Sequence, residues 1–393
     1  MQESALRQPK LDVICPGLPY EMGFAQGVAM RERIQTARRS LRRLDAFRME
    51  QPRWMPYPIF LTFAERKVAN LIRPGVAAAF PETQQRLEGI ANGAGMSLNT
   101  LYLFNGLEAL MASVEGRIRI PALSAACSAI AVRGSRSANG HAMIARNFDY
   151  LPIVQPFFAL RETRPAAGMR SLEFFTAPMA GAIDGVNEAG LCITYNYAFT
   201  LDKPAKTAGL ISMAISEALA RSRTVTDAAN WISSRPRSSG ALLMLADETG
   251  DIASLELSAS HSQLRRPASG EDIIYHTNCF FDGEMCAVEV PAPAIFSDRA
   301  PVPIRGRRVL QSADCRRDRL TQLLPNYKTL NPDQLQSVLS DHGPSGQPSD
   351  DSLCMHGTYW TTTASLQWFP QERKVRVAYG PTCQAKYTEL QLN

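Results

Sequence analysis

Apolar positions recur at helical spacing up to about residue 120 and at strand spacing beyond it, so the chain divides by pattern. Before the division, 18–48, 58–72, 83–92 and 97–113 read as helices, with Pro74 and Pro81 as breakers and Ser97 as an N-cap. Beyond it, short β-branched or aromatic runs at 127–133, 141–148, 156–163, 170–176 and 191–197 read as strands. Two helices follow, one over 210–220 and one after Thr224 holding 228–233. Strands return at 240–246, 252–258 and 272–277. A helix over 308–324 and another opened by Asn331-Pro332 lead to a last hairpin, 359–369 with 374–379. Strands, then helices, then strands, then helices predict an α+β fold of two antiparallel sheets packed face to face with helices outside. There is no internal repeat, and 345–351, with Gly346 and Pro348, is the best candidate for a mobile loop.

With 393 residues, 45% of them hydrophobic and 20% charged, the chain can bury a large core. No apolar stretch is long enough to span a membrane, and the start lacks a basic-then-apolar leader, which leads to the expectation of a cytoplasmic protein without membrane partners. Eight widely spaced cysteines write no disulfide framework. A net charge of +5 includes eight arginines from Arg31 to Arg53, but Glu32, Asp45 and Glu50 are interspersed and Ile34, Leu41, Leu44 and Phe47 make an apolar stripe. That stretch reads as a solvated helix face, and no nucleic-acid partner is expected.

The chemistry concentrates at Cys127, which opens the run Cys127-Ser128-Ala129-Ile130-Ala131-Val132. The Asn139-Gly140 pair signals a tight hairpin turn, so a second strand runs back through Arg146-Asn147-Phe148-Asp149 and brings residue 149 near residue 127. A cation beside a thiol favours the thiolate. Taken alone, a cysteine in an apolar strand is a small buried hydrophobe; the downstream Arg-Asn-Phe-Asp turns the reading to a nucleophile. No histidine lies in the hairpin core, and of the five only His276 falls in a segment placed near the site. The α-amino group of Cys127 would be a suitable base, with an ordinary pKa of about 7.7 to 8.0, if the preceding peptide bond were cut. Asp341-His342 and Cys354-x-His356 lack CxxC or HExxH spacing and read as structural hydrogen-bonding residues, with no metal expected.

Several separated blocks resemble the acyl-coenzyme A:6-aminopenicillanate acyltransferase group of N-terminal nucleophile hydrolases, related to choloylglycine hydrolases and acid ceramidase. They are 17–27, the Cys127 to Asp149 hairpin, Gly185-Val186-Asn187-Glu188-Ala189-Gly190-Leu191 with Tyr195-Asn196-Tyr197, and His276-Thr277-Asn278-Cys279-Phe280, followed by Ser312 with Arg316, Asp341-His342, Cys354-Met355-His356 and Gly380-Pro381-Thr382-Cys383. The resemblance implies a four-layer αββα sandwich and self-cleavage between Ala126 and Cys127, dividing the chain into a helical segment 1–126 and a catalytic core 127–393. In the fungal acyltransferase glycine precedes the nucleophile; here it is alanine. The implied roles are Cys127 as nucleophile, its freed amine as base, Asp149 as the amine's hydrogen-bond partner and Arg146 as partner of Asp149 or the thiolate. Asn278 would be an oxyanion donor with Asn196 or Tyr195 as the second, and Asn147 and Arg316 are supporting residues. The expected function is amide hydrolysis or acyl transfer on linear, non-peptide amides through an acyl-thioester, without a cofactor, a coenzyme A thioester being one candidate acyl donor. A binding or assembly protein that keeps the fold without processing is the alternative. A small-molecule amide or acyl substrate is implied, and the sequence leaves a homo-oligomeric state open.

Overall fold

The computed structural model describes residues 7–107, 126–205, 208–298 and 300–392. Two sheets organise it. The larger has eight strands in the order β1-β4-β5-β6-β7-β8-β9-β10, and the smaller has six in the order β11-β2-β3-β12-β13-β14. The strands of the larger sheet are β1 (Leu11–Gly17), β4 (Phe158–Pro165), β5 (Ser171–Thr176), β6 (Asp184–Asn187), β7 (Cys192–Ala198), β8 (Gly240–Ala246), β9 (Ile252–Leu257) and β10 (Ser262–Arg265). Those of the smaller are β2 (Ala126–Val132), β3 (Met143–Tyr150), β11 (Ile273–His276), β12 (Thr361–Phe369), β13 (Lys374–Tyr379) and β14 (Thr388–Gln391).

Side-chain alternation explains the layering. Cys127, Ala129 and Ala131 of β2 pack with Phe158, Leu160, Phe174, Val186 and Met244 of the larger sheet, forming the core between the sheets. The intervening Ile130 and Val132 face the other way, onto Leu320, Leu335, Val338 and Leu339 of helices Gln311–Leu323 and Pro332–Leu339. The larger sheet's outer face, with Ile193, Leu243 and Leu255, is covered by Ile215 and Leu219 of the helix Ile211–Arg221 and by Val225 and Ile232 of Val225–Ser233. Helix, sheet, sheet, helix is the expected αββα order. Because both faces of β2 and β8 are covered, every residue of each is buried.

Most expected elements appear within a few residues, including the caps at Ser97, Thr224 and Asn331, each of which accepts a backbone N–H. The expected helix 97–113 is α-helical over Leu98–Asn105, and its end from 108 lies outside the described residues. Four differences have physical reasons. The expected helix 18–48 is preceded by β1, an edge strand pairing parallel with β4, and is broken into the helices Pro19–Ala29, Arg31–Ser40 and Asp45–Met49. Pro74 does not end its helix, which runs Tyr57–Ala79; Pro74 and Asn70 are both exposed, so the carbonyl that loses its N–H partner faces water. The four-residue β6, β10 and β14 are too short for their periodicity to show. The β2–β3 connection is not a two-residue turn but a longer loop with a 3-10 turn at Gly134–Arg136, fastened by Asp272 to the Ser135 N–H at 2.8 Å.

The 17–27 block acquires a packing role. Its helix, Pro19–Ala29, crosses Pro81–Ala94 so closely that a Cβ on Gly23 would stand 2.0 Å from the Arg86 carbonyl oxygen, and one on Gly89 2.1 Å from that of Tyr20. Gly27 and Gly93 repeat the relation one turn on. Several of the arginines from Arg31 onward serve internal contacts, Arg33 with Asp12 at 2.8 Å and Arg38 with Glu65 at 2.9 Å.

Candidate active site

The first residues of β2 carry the site. Antiparallel pairing sets Ala126 opposite Asp149, Cys127 opposite Phe148 and Ala129 opposite Arg146. Cross-strand partners share a face, so Cys127 and Arg146 are diagonal neighbours on the inter-sheet side, while Ser128, Asn147 and Asp149 lie on the helix side. The site therefore wraps around the end of one strand.

Each polar group of Cys127 has a buried partner. Its sulfur lies 3.0 Å from Arg146 Nη2. Its N–H donates to Asn278 Oδ1 at 2.7 Å. Its carbonyl accepts from Arg316 Nη1, which also reaches Ser128 Oγ at 3.0 Å, while Arg316 Nη2 donates to Asn278 Oδ1 at 2.8 Å. Arg316 is held in turn by Ser312 Oγ at 3.2 Å. The six residues Cys127, Arg146, Asp149, Asn278, Arg316 and Asp184 are all at most 1% exposed.

Asp184 is the residue the sequence reading missed. Arg146 does not hydrogen-bond Asp149; its other arm, Nη1, is bound by Asp184 from β6, whose Oδ1 also accepts the Tyr195 N–H at 3.1 Å. Asp184 stands directly ahead of the Gly185-Val186-Asn187 block, the one sequence signal that pointed to it. Asp149 Oδ1 accepts from Thr362 Oγ1, and its buried Oδ2 has no hydrogen-bond partner among the described residues.

The electrostatics follow from burial. Desolvation pushes the Cys127 thiol up to about 11, against the pull of Arg146 and Arg316, so the sulfur is protonated at neutral pH. Desolvation also raises Asp149 to about 7, opposed by Arg316, the Thr362 hydroxyl and Arg146. Burial holds His276 neutral, and its Nδ1 is 2.7 Å from Ser254 Oγ.

Other sequence candidates have structural contacts. Asn147 Nδ2 donates to the carbonyls of Leu339 and Leu353, both at 2.8 Å. Asn196 Nδ2 donates to Thr277 O at 3.0 Å, and Asn278 Nδ2 to Tyr197 O at 2.8 Å. A largely apolar cavity of about 150 Å³ adjoins the site. Its wall includes Phe148, the cross-strand partner of Cys127, with Tyr195 and Tyr197 flanking Asn196, and Leu41, Phe104 and Ile153.

A helix-enclosed pair of stacked sheets with a cysteine at the head of a central strand is the α+β sandwich of N-terminal nucleophile hydrolases. The acyl-coenzyme A:6-aminopenicillanic acid acyl-transferase profile matches residues 135–347, more than half of the chain, which belongs to that family. Among solved structures it is similar to a Caenorhabditis elegans N-acylethanolamine-hydrolyzing acid amidase ortholog, with 12% identity, 68% of this chain and 100% of that chain covered, and a TM-score of 0.42. Penicillin V acylase from Agrobacterium tumefaciens gives 14%, 68%, 86% and 0.42, and a mutant conjugated bile acid hydrolase from Clostridium perfringens 12%, 68%, 97% and 0.36. No curated protein matches the chain. Among the described residues no helix is long and apolar enough to cross a membrane.

Proposed function

We propose that the chain is a self-processing N-terminal-cysteine amide hydrolase or acyltransferase acting on linear amides of apolar acyl groups. The observation that carries the reading is that the N–H, sulfur and carbonyl of Cys127 are each held by a different buried polar side chain, Asn278, Arg146 and Arg316. A merely structural cysteine needs no such framework.

Processing begins when Cys127 Sγ attacks the Ala126 carbonyl carbon. The Ala126–Cys127 C–N bond breaks, the proton lost by the thiol passes to the leaving nitrogen, and a thioester to Ala126 remains for water to hydrolyse into the Ala126 carboxylate and the free thiol. Ala126 lies in extended strand, a conformation open to alanine, so the glycine of the fungal acyltransferase is not needed. The freed amine stays beside Asn278 Oδ1 and gains Asp149, whose unpartnered Oδ2 suits a new N–H donor. In turnover that amine takes the thiol proton, the sulfur attacks the substrate carbonyl, and the leaving amine departs with the proton. Asn278 Nδ2, with Asn196 or Tyr195, is the proposed oxyanion donor set, each donor contributing about 2.7–4 kcal/mol. Water or an acceptor amine then resolves the thioester. The apolar cavity beside Phe148 is the proposed acyl pocket.

The test is a panel of N-acyl amides differing in acyl length and polarity, followed by amine release and by intact mass after quenching. Preference for apolar acyl groups, with the acyl mass on Cys127, is expected. Release unaffected by Cys127→Ala would overturn the reading.

A further inference from the structure

Four chemistry-bearing side chains outside the active site meet on the helix side of the smaller sheet. His342 follows the helix Pro332–Leu339, Cys354 and His356 precede β12, and Cys383 follows β13. Their candidate ligand atoms all lie within 4.8 Å of one another. We propose that His342, Cys354, His356 and Cys383 form a closed Cys2His2 site for Zn2+ that staples three chain segments behind the catalytic strand.

Distances favour a metal over a hydrogen-bonded cluster. Tetrahedral zinc with Zn–S of about 2.3 Å and Zn–N of about 2.0 Å sets neighbouring sulfur and nitrogen ligands about 3.5 Å apart. His356 Nε2 is 3.5 Å from Cys354 Sγ and 3.4 Å from Cys383 Sγ. One imidazole nitrogen has a single lone pair or a single N–H, so it cannot hydrogen-bond both sulfurs well. His342 Nε2 is shielded from solvent and has no hydrogen-bond partner among the described residues, although its ring packs edge-on against His356 with centroids 5.2 Å apart. A shared cation satisfies both anomalies.

The ligand chemistry selects the ion. Two thiolates and two neutral imidazoles suit zinc, and entry of Zn2+ with loss of two thiol protons leaves the net charge unchanged in a half-buried place. Four protein ligands leave no open position, so the site is structural rather than catalytic.

The scaffold is built to hold it. Asn147 binds the carbonyls of Leu339 and Leu353 and accepts from Thr382 Oγ1 at 2.6 Å. Those residues lie three, one and one positions ahead of His342, Cys354 and Cys383. Thr362 accepts the Met355 N–H, between Cys354 and His356, at 2.8 Å and donates to Asp149. Spacing along the sequence hides the arrangement, because only Cys354 and His356 are neighbours in it.

The test is metal analysis of protein purified from zinc-supplemented cells without chelator, with Cys383→Ser and His342→Ala alongside. About one Zn2+ per chain in wild type, and under about a tenth of that in the variants, is expected. Chelator should lower the wild-type melting temperature and leave that of Cys383→Ser unmoved. Metal-stripped wild type titrated with Co2+ should show thiolate-to-cobalt charge transfer and tetrahedral absorption, which keeps the test decisive if a variant fails to fold. Stripped wild type that takes up neither Zn2+ nor Co2+, zinc retained in full by Cys383→Ser, or a Cys354–Cys383 disulfide as the isolated state would overturn the proposal.

Discussion

The side-chain carbonyl of Asn278 accepts the backbone N–H of Cys127 at 2.7 Å, and Arg316 donates to the same oxygen. The nitrogen that would become the catalytic base is thus positioned before any bond is cut. Asn278→Ala removes both this anchor and the proposed oxyanion donor, and should lower kcat by about a hundredfold or more while the chain still folds. Steady-state kinetics on any amide substrate, with circular dichroism as the folding check, decides it; an unchanged kcat rejects the role.

Asp149 gives a pH prediction. Its folded pKa is raised from 3.8 to about 7, first by burial, so the uncut chain has this contribution in full below the unfolded value and loses it as pH rises through about 7. Asp149→Asn should leave stability little changed at pH 4 and raise the melting temperature of the uncut chain at pH 8, with Cys127→Ala as the background in both. Thr362→Val, which removes the hydroxyl that lowers Asp149, should move the transition to higher pH. A pH-independent difference between Asp149→Asn and its parent contradicts the assignment.

The Arg146–Asp184 pair is fully buried. Asp184→Asn leaves the guanidinium without its carboxylate and should destabilise by about 3–5 kcal/mol in urea unfolding. A loss below about 1 kcal/mol would mean that the charge is compensated elsewhere.

Helix crossing at Gly23 is equally specific. Gly23→Ala sets a methyl against the Arg86 carbonyl and should destabilise by about 1–3 kcal/mol, whereas Gly283→Ala meets nothing within 4 Å and serves as the control. Equal unfolding midpoints for the two variants would contradict the close approach.

How far the sequence exposed this arrangement depends on where each contact comes from. Cys127, Arg146 and Asp149 were legible because period-two patterning fixes which residues of paired strands meet, even though the Asn139-Gly140 turn was read too tight. Arg316 is expected only as a supporting residue, and the structure puts it on the Cys127 carbonyl. Asp184 was illegible because it arrives from the other sheet, on a strand of four residues. Thr362 reaches Asp149 through the pairing of β12 with β3, and the His342–Cys354–His356–Cys383 cluster depends on loops brought together by Asn147; local spacing holds no record of either meeting. The strand β1 was hidden because its short run, with Pro16 near its end, forms an edge rather than a central strand.

The central claim is tested most directly by denaturing mass spectrometry of wild type beside Cys127→Ala. Wild type should give two polypeptides parted between Ala126 and Cys127, and the variant a single full-length mass. A single full-length mass from wild-type protein that turns over amides would contradict the account, because the proposed base would never have been made.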